Sequence, residues 1–446
     1  MKKLRLPLIV GILAFFADSI SSYAQYPGAK LEINSETGVY AVGDSIKVWA
    51  RVFEGCSPEL EFTIEKNMFT KISKEKVSLE EGLHLMYAGI CSEPSHYVFM
   101  IGLPGGRGRP GSGKTSTIGA IIEPESFHSG YMPPKDLEKF WKKQIAQMRK
   151  MPLECTVKKA PQEKSDQTGY VCLDIEIPMP EGNPVRAYLA YPENAAPKSL
   201  PILIRPHSAG VKGDWCQCSI DRTIEDSKRG GGAIALDINA HGMLNGQPQE
   251  YYDNLEAGEL KDYSSRPFTG HEDYYFRLMY LRLVRALDYL VTLPQWDGKR
   301  VVVYGESQGG AQAAALCSID KRVTAAVLRV PAVMDLASRK QERGGTWPKS
   351  HGLKYEEFAN VLPYYDGACL LSLTKARLFV EAGLVDYTCP PTCVAAGYNN
   401  APSKDKTIVF FPYRTHVSTN MSKEDQETWK EQIVTPRENW LNEILK

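Results

Sequence analysis

The residues in this chain best suited to chemistry form a pentapeptide, Gly305-Glu306-Ser307-Gln308-Gly309. An apolar run, Val301-Val302-Val303-Tyr304, leads into it, and an alanine-rich stretch from Ala311 to Leu316 leaves it. A strand that turns sharply into a helix at a serine exposes the hydroxyl. Glycine is required on both sides, at Gly305 and Gly309, because side chains there would collide across the turn. The turn also leaves Ser307 at a helix N-terminus, where free N–H groups and the helix dipole favour a developing oxyanion. Such a serine can attack an ester carbonyl if a base and an acid reach it.

The partners must then be positioned by elements further along. Of eight histidines, only His351 and His416 follow Ser307. Arg377 to Asp386 reads as a buried strand that delivers Asp386 to the loop at its end, and only His416 follows that aspartate. Thr407-Ile408-Val409-Phe410-Phe411 reads as the next strand and leads to His416 through Pro412-Tyr413-Arg414-Thr415. Two successive parallel strands would carry acid and base to the same sheet edge. Asp320, Asp335, Asp366 and Asp405 also lie in the interval, but none follows so clear a strand. Upstream, the strand from Leu200 ends in Arg205-Pro206-His207-Ser208-Ala209-Gly210. The amides of Gln308 and Ala209 are the expected pair of oxyanion donors, each worth about 3 kcal/mol in the transition state. His207 precedes the serine and is expected to shape this loop rather than act as the base.

Serine, then acid, then histidine is the order of the α/β-hydrolase fold, a mostly parallel, doubly wound sheet. From about Ser126 to the C-terminus the chain resembles the acetyl xylan esterase and cephalosporin-C deacetylase family, carbohydrate esterase family seven. The resemblance is carried by the Gly305-to-Gly310 turn with Gln308 after the serine, and by Gly383-Leu384-Val385-Asp386-Tyr387-Thr388-Cys389-Pro390-Pro391. Tyr398-Asn399, Tyr274-Tyr275-Phe276-Arg277 and Val284-Arg285-Ala286 add to it. It implies deacetylation of short acetylated sugars through Ser307, Asp386 and His416, with no metal and no cofactor, in an enzyme that often forms closed homo-oligomers. Two departures mark a divergent member. Asn239-Ala240-His241-Gly242 stands where the family usually has Arg-Gly-Gln, and Val417 stands where it has a glutamate.

The chain's 446 residues exceed one typical core, so two domains are expected. Its 53 basic and 53 acidic residues balance, which leaves no electrostatic case for nucleic acid or an anionic membrane. Lys2, Lys3 and Arg5 precede an apolar run from Leu6 to Ala17, and Ser22-Tyr23-Ala24 is a fair cleavage site before Gln25. Residues 1–24 are therefore read as a signal peptide and the protein as exported, to a periplasm or the medium; the apolar run is too short for a membrane span. Ten cysteines in an exported chain permit disulfides, with Cys56–Cys91, Cys216–Cys218 and Cys389–Cys393 as candidate pairs. No histidine or second cysteine pair sits at zinc-like spacing.

Residues 25–124 follow a different pattern. Ile46, Val48, Ala50 and Val52 alternate with Lys47, Trp49, Arg51 and Phe53, and similar short runs occur at Leu60–Ile64 and Tyr97–Ile101. This pattern predicts a small immunoglobulin-like β-sandwich, joined by a helix over Pro134–Lys150 to a catalytic domain at 125–446. Packing or assembly is the expected role of the small domain. Gly108 to Thr115 matches the phosphate-binding P-loop in full. Ser116 to Ile122, however, is β-branched, contains glycine and stops at Pro124, so it predicts a strand where a P-loop needs a helix. The sequence thus favours a secreted serine esterase that removes acetyl or other small acyl groups from a polysaccharide or oligosaccharide. An esterase on a different ester, or a non-catalytic glycan-binding protein, is the alternative.

Overall fold

Nine strands build the central sheet of a computed structural model that describes residues 28–104, 115–162, 165–349, 354 and 356–446. The expected signal peptide and the P-loop-like residues 108–114 lie outside those described. Eight strands precede this sheet: β1 (Ala29–Ile33), β2 (Val39–Tyr40), β3 (Ser45–Val52), β4 (Leu60–Lys66), β5 (Thr70–Val77), β6 (Gly82–Ile90), β7 (Ser95–Gly102) and β8 (Thr115–Ile122). The central sheet comprises β9 (Thr156–Lys159), β10 (Tyr170–Ile177), β11 (Val185–Pro192), β12 (Leu200–Pro206), β13 (Ile234–Ile238), β14 (Trp296–Glu306), β15 (Ala325–Arg329), β16 (Arg377–Gly383) and β17 (Lys406–Phe411).

Its spatial order is β17-β16-β15-β14-β12-β13-β11-β10-β9. Pairs from β13 to β17 are parallel, and β9, β10 and β11 add antiparallel strands at one end. The parallel strands are apolar on both faces because both are covered. On β14, Val301 and Val303 join the core containing Leu283 and Leu287 of the helix Phe276–Leu290. The alternate residues Val302 and Tyr304 pack with Leu441 and Leu445 of the C-terminal helix. This arrangement is α/β-hydrolase-like, and it sends the ends of β12, β14, β16 and β17 toward one edge.

The N-terminal strands form two sheets, β1-β3-β6 and β2-β8-β7-β4-β5, which share one core. Ile46, Val48, Ala50 and Val52 all point into it, as their alternation requires. Ser116 to Ile122 lies within β8, a strand, so no helix follows the glycine-rich stretch. The connecting helix spans Leu137–Met148 and buries Trp141 and Ile145. Among the described residues, which include all ten cysteines, there is no disulfide, and the pairings considered from sequence are not formed. No helix of the described residues is long and apolar enough to cross a membrane.

Candidate active site

Ser307 caps the helix Gln308–Ile319 with φ 56° and ψ −121°, a sparsely populated conformation for a side-chain-bearing residue. It is held there from both sides. Its N–H donates to the Arg329 carbonyl at 2.9 Å, and its carbonyl accepts from Ala332 N–H at 2.9 Å. Tight packing explains the glycines: a Cβ on Gly309 would lie 2.6 Å from the Pro206 carbonyl oxygen at the end of β12. That contact brings the loop after β12 against the turn after β14.

Asp386 and His416 arrive from the ends of β16 and β17. His416 Nε2 lies 2.9 Å from Ser307 Oγ, and its Nδ1 lies 2.8 Å from Asp386 Oδ2. Asp386 is fully buried, and its Oδ1 accepts from the N–H groups of Thr388 (2.8 Å) and Cys389 (2.9 Å). Burial pulls His416 toward its neutral form, but the Asp386 carboxylate outweighs it and raises the imidazole above its usual value. The other aspartates considered from sequence lie elsewhere. Asp335 pairs with Arg343, Asp366 accepts from backbone N–H groups, Asp320 pairs with Arg322, and Asp405 pairs with Arg377. His351 is not among the described residues.

Residues that sequence reasoning did not single out hold this array. Arg414 donates to the carbonyls of Thr415 (2.6 Å) and His416 (2.8 Å), fixing the backbone of the base. Arg414 is itself anchored at buried Glu381, which also receives Arg437 and the Trp429 indole N–H. Burial would raise the Glu381 carboxyl, but Arg329, Arg414 and Arg437 hold it at about 2.

The loop after β12 is equally constrained. Tyr263 donates to Gln308 Oε1 at 2.7 Å and accepts from Gly210 N–H at 3.2 Å, so the Gly210 amide is already engaged. Trp215 Nε1 donates to the Ala209 carbonyl at 2.9 Å, and Ser208 Oγ donates to the Glu306 carbonyl at 3.0 Å. His241 sits in the segment that departs from the family pattern. Burial and nearby Arg282 push it down to about 3, so the ring is neutral. It donates from Nε2 to the Gly210 carbonyl (3.0 Å) and accepts at Nδ1 from the Tyr275 hydroxyl (2.7 Å). His207 pairs with Asp237 beneath the loop, while its carbonyl accepts from Gln312. With Cys218 these two residues form a compact donor cluster, in which Asp237 Oδ2 also receives Arg222 at 2.8 Å.

The N-terminal sheets contribute directly to the surroundings of the site. His96 is fully buried, pushed down to about 4 by burial, and donates from Nε2 to the Leu384 carbonyl at 2.8 Å. Asn67 accepts from Gly344 N–H at 2.8 Å, and Gly119 N–H donates to Pro412 at 2.9 Å. Tyr387, next to Asp386, donates to Glu65 of β4 at 2.7 Å. A cleft of about 830 Å³ opens beside His416, with β4, β5, β7 and β8 on one wall and Trp347, Thr388 and Val417 on the other.

The acetyl xylan esterase family is matched over residues 123–433. This chain belongs to that family. As a member of the acetyl xylan esterase family it is a carboxylic ester hydrolase. The chain is 26% identical to the acetyl esterase Axe7A of Xylanibacter ruminicola, over 97% of each chain. In fold it is similar to the acetyl xylan esterase from Paenibacillus sp. R4, with a TM-score of 0.56 at 20% identity, covering 72% of this chain and 98% of that one. Acetyl xylan esterase 1 from Thermoanaerobacterium sp. JW/SL YS485 matches likewise, with a TM-score of 0.55 at 19% identity over 73% and 98%. Both of these structures are thus covered almost whole by part of this chain. The N-terminal sheets precede residue 123 and lie outside the family match.

Proposed function

We propose that this family member is an exported acetyl esterase that acts on acetylated oligosaccharide or polysaccharide through a serine acyl-enzyme. The observation that carries the reading is the continuous relay from Ser307 Oγ to His416 Nε2 and from His416 Nδ1 to Asp386 Oδ2, at 2.9 and 2.8 Å. Ser307 Oγ attacks the ester carbonyl while His416 Nε2 takes its proton. The tetrahedral oxyanion is met by the amides of Gln308, the first residue of its helix, and Ala209. His416 returns the proton to the leaving sugar hydroxyl, and a water repeats the sequence to release acetate. Asp386 keeps the proton on Nδ1 and stabilises the imidazolium. The acetyl group and a glycan substrate are supported by the family and by the curated relative's name.

Export rests on Lys2, Lys3, Arg5, the apolar run to Ala17 and Ser22-Tyr23-Ala24. The shared core of the two N-terminal sheets supports an immunoglobulin-like sandwich. Pre-steady-state hydrolysis of p-nitrophenyl acetate tests the mechanism. One equivalent of nitrophenol per chain should appear in a burst and vanish in Ser307→Ala. A burst of equal size in that variant would defeat the reading.

A further inference from the structure

We infer that the cleft beside His416 holds the leaving-group side of the substrate, an uncharged oligosaccharide of more than one sugar, and that β4 and β5 form its specificity-determining wall. The inference rests on the glycan-esterase reading above and says where the glycan lies. His416 Nε2 faces Ser307 Oγ at 2.9 Å, so the proton it collects from the serine is the one it hands to the departing sugar oxygen. The alcohol half of the ester must therefore lie over the imidazole, and the cleft opens from that residue. Its volume of about 830 Å³ suits a ligand far larger than an acetyl group.

The far wall is one face of two antiparallel strands. Glu61, Thr63 and Glu65 recur at every second residue of β4 and so share that face, with Lys74 opposite Thr63 and Lys71 opposite Glu65 on β5. Glu61 pairs with Lys74 at 2.8 Å, and Glu65 accepts from the Tyr387 hydroxyl at 2.7 Å. Two carboxylates and two ammonium groups thus balance on this wall, and an ion pair still leaves N–H groups and lone pairs to spare. Adjoining donors and acceptors without net charge match sugar hydroxyls, each of which both donates and accepts. The wall is also fixed relative to the catalytic residues. Tyr387 follows Asp386 directly in the chain, His96 of β7 donates to the Leu384 carbonyl at 2.8 Å, and Gly119 N–H of β8 donates to Pro412 at 2.9 Å. A glycan therefore meets a subsite that is already ordered. These strands precede the family match at 123–433, so the reading of glycan length belongs to this chain's added sheets, a role beyond the packing expected from sequence.

The test compares kcat/KM for acetylated xylose and acetylated xylotriose, both uncharged, in wild type and in the Lys71→Ala/Lys74→Ala double variant. Both lysines are exposed, so the variant should keep its fold, which circular dichroism verifies. Two net hydrogen bonds to sugar hydroxyls correspond to about tenfold, so wild type should favour the trisaccharide by about that factor. The preference should fall to near one in the alanine variant and persist in Lys71→Arg/Lys74→Arg, which keeps the donors. A wild type that treats both sugars alike, or a preference unchanged in the folded alanine variant, overturns the inference while leaving the esterase reading intact. Failure to deacetylate either sugar, with p-nitrophenyl acetate still hydrolysed, overturns the glycan reading and this inference together.

Discussion

Replacing Asp386 by asparagine should stall the reaction by reversing one proton position. Asp386 Oδ1 accepts from two backbone N–H groups, Thr388 at 2.8 Å and Cys389 at 2.9 Å, while Oδ2 faces His416 Nδ1 at 2.8 Å. An asparagine amide must therefore keep its oxygen on the backbone donors and turn its NH₂ toward His416. Nδ1 then has to accept, the ring proton moves to Nε2, and Nε2 can no longer take the proton of Ser307. The equivalent change in a serine protease lowers kcat about 10⁴-fold, or about 5 kcal/mol, and the same loss is predicted here. Steady-state hydrolysis of p-nitrophenyl acetate, with circular dichroism to verify the fold, measures it. The pH profile adds an independent reading. The base must be neutral, and Asp386 raises His416 against the opposing effect of burial, so wild-type kcat/KM should fall as pH drops through a value above 6.5. Without the carboxylate, burial and the Arg414 charge lower the ring against only the weaker pull of Glu306, and the acid limb should move below 6.5. A kcat within tenfold of wild type, or an unmoved limb, would refute the reasoning.

Gly305→Ala should not form the turn, because its Cβ would sit 2.1 Å from the Gly309 carbonyl oxygen; a soluble variant with wild-type melting and turnover would contradict this. Glu381→Gln leaves Arg329, Arg414 and Arg437 buried around a neutral amide, at a cost of about 3–5 kcal/mol by denaturant unfolding. Its depressed carboxyl has a matching pH signature: the stabilisation is present above the ordinary carboxylate range and is lost as pH falls toward about 2. A loss under 1 kcal/mol would contradict the network's role. Tyr263→Phe strips a partner from Gln308 Oε1 and from Gly210 N–H, and kcat should drop about tenfold with little change in KM. Unaltered kcat would show that the oxyanion loop does not depend on that hydroxyl.

Much of the site was legible because local signals coincided. The valine run, the paired glycines and the alanines mark a strand, a turn and a helix around Ser307. The apolar runs before Asp386 and His416 are strands β16 and β17, and all three side chains lie within hydrogen-bonding distance. The supports were not legible, since each joins residues far apart in the chain. Tyr263 meets Gln308, Arg414 meets Glu381, and Glu65 meets Tyr387 across 322 positions. His241 could be noticed only as a departure from a pattern, and its buttressing of Gly210 follows from burial that periodicity does not reveal. The docking of the N-terminal sheets onto the loops of Asp386 and His416 has no local signature. It depends on buried His96 and on backbone contacts at Asn67 and Gly119, none of which stands out in composition.

Acetate release from acetylated xylo-oligosaccharides by this chain, with Ser307→Ala alongside, is the most direct test of the central claim. The account predicts steady release by wild type and none above background in the variant. Release that survives the loss of Ser307, or a well-folded wild type that releases no acetate, would contradict it.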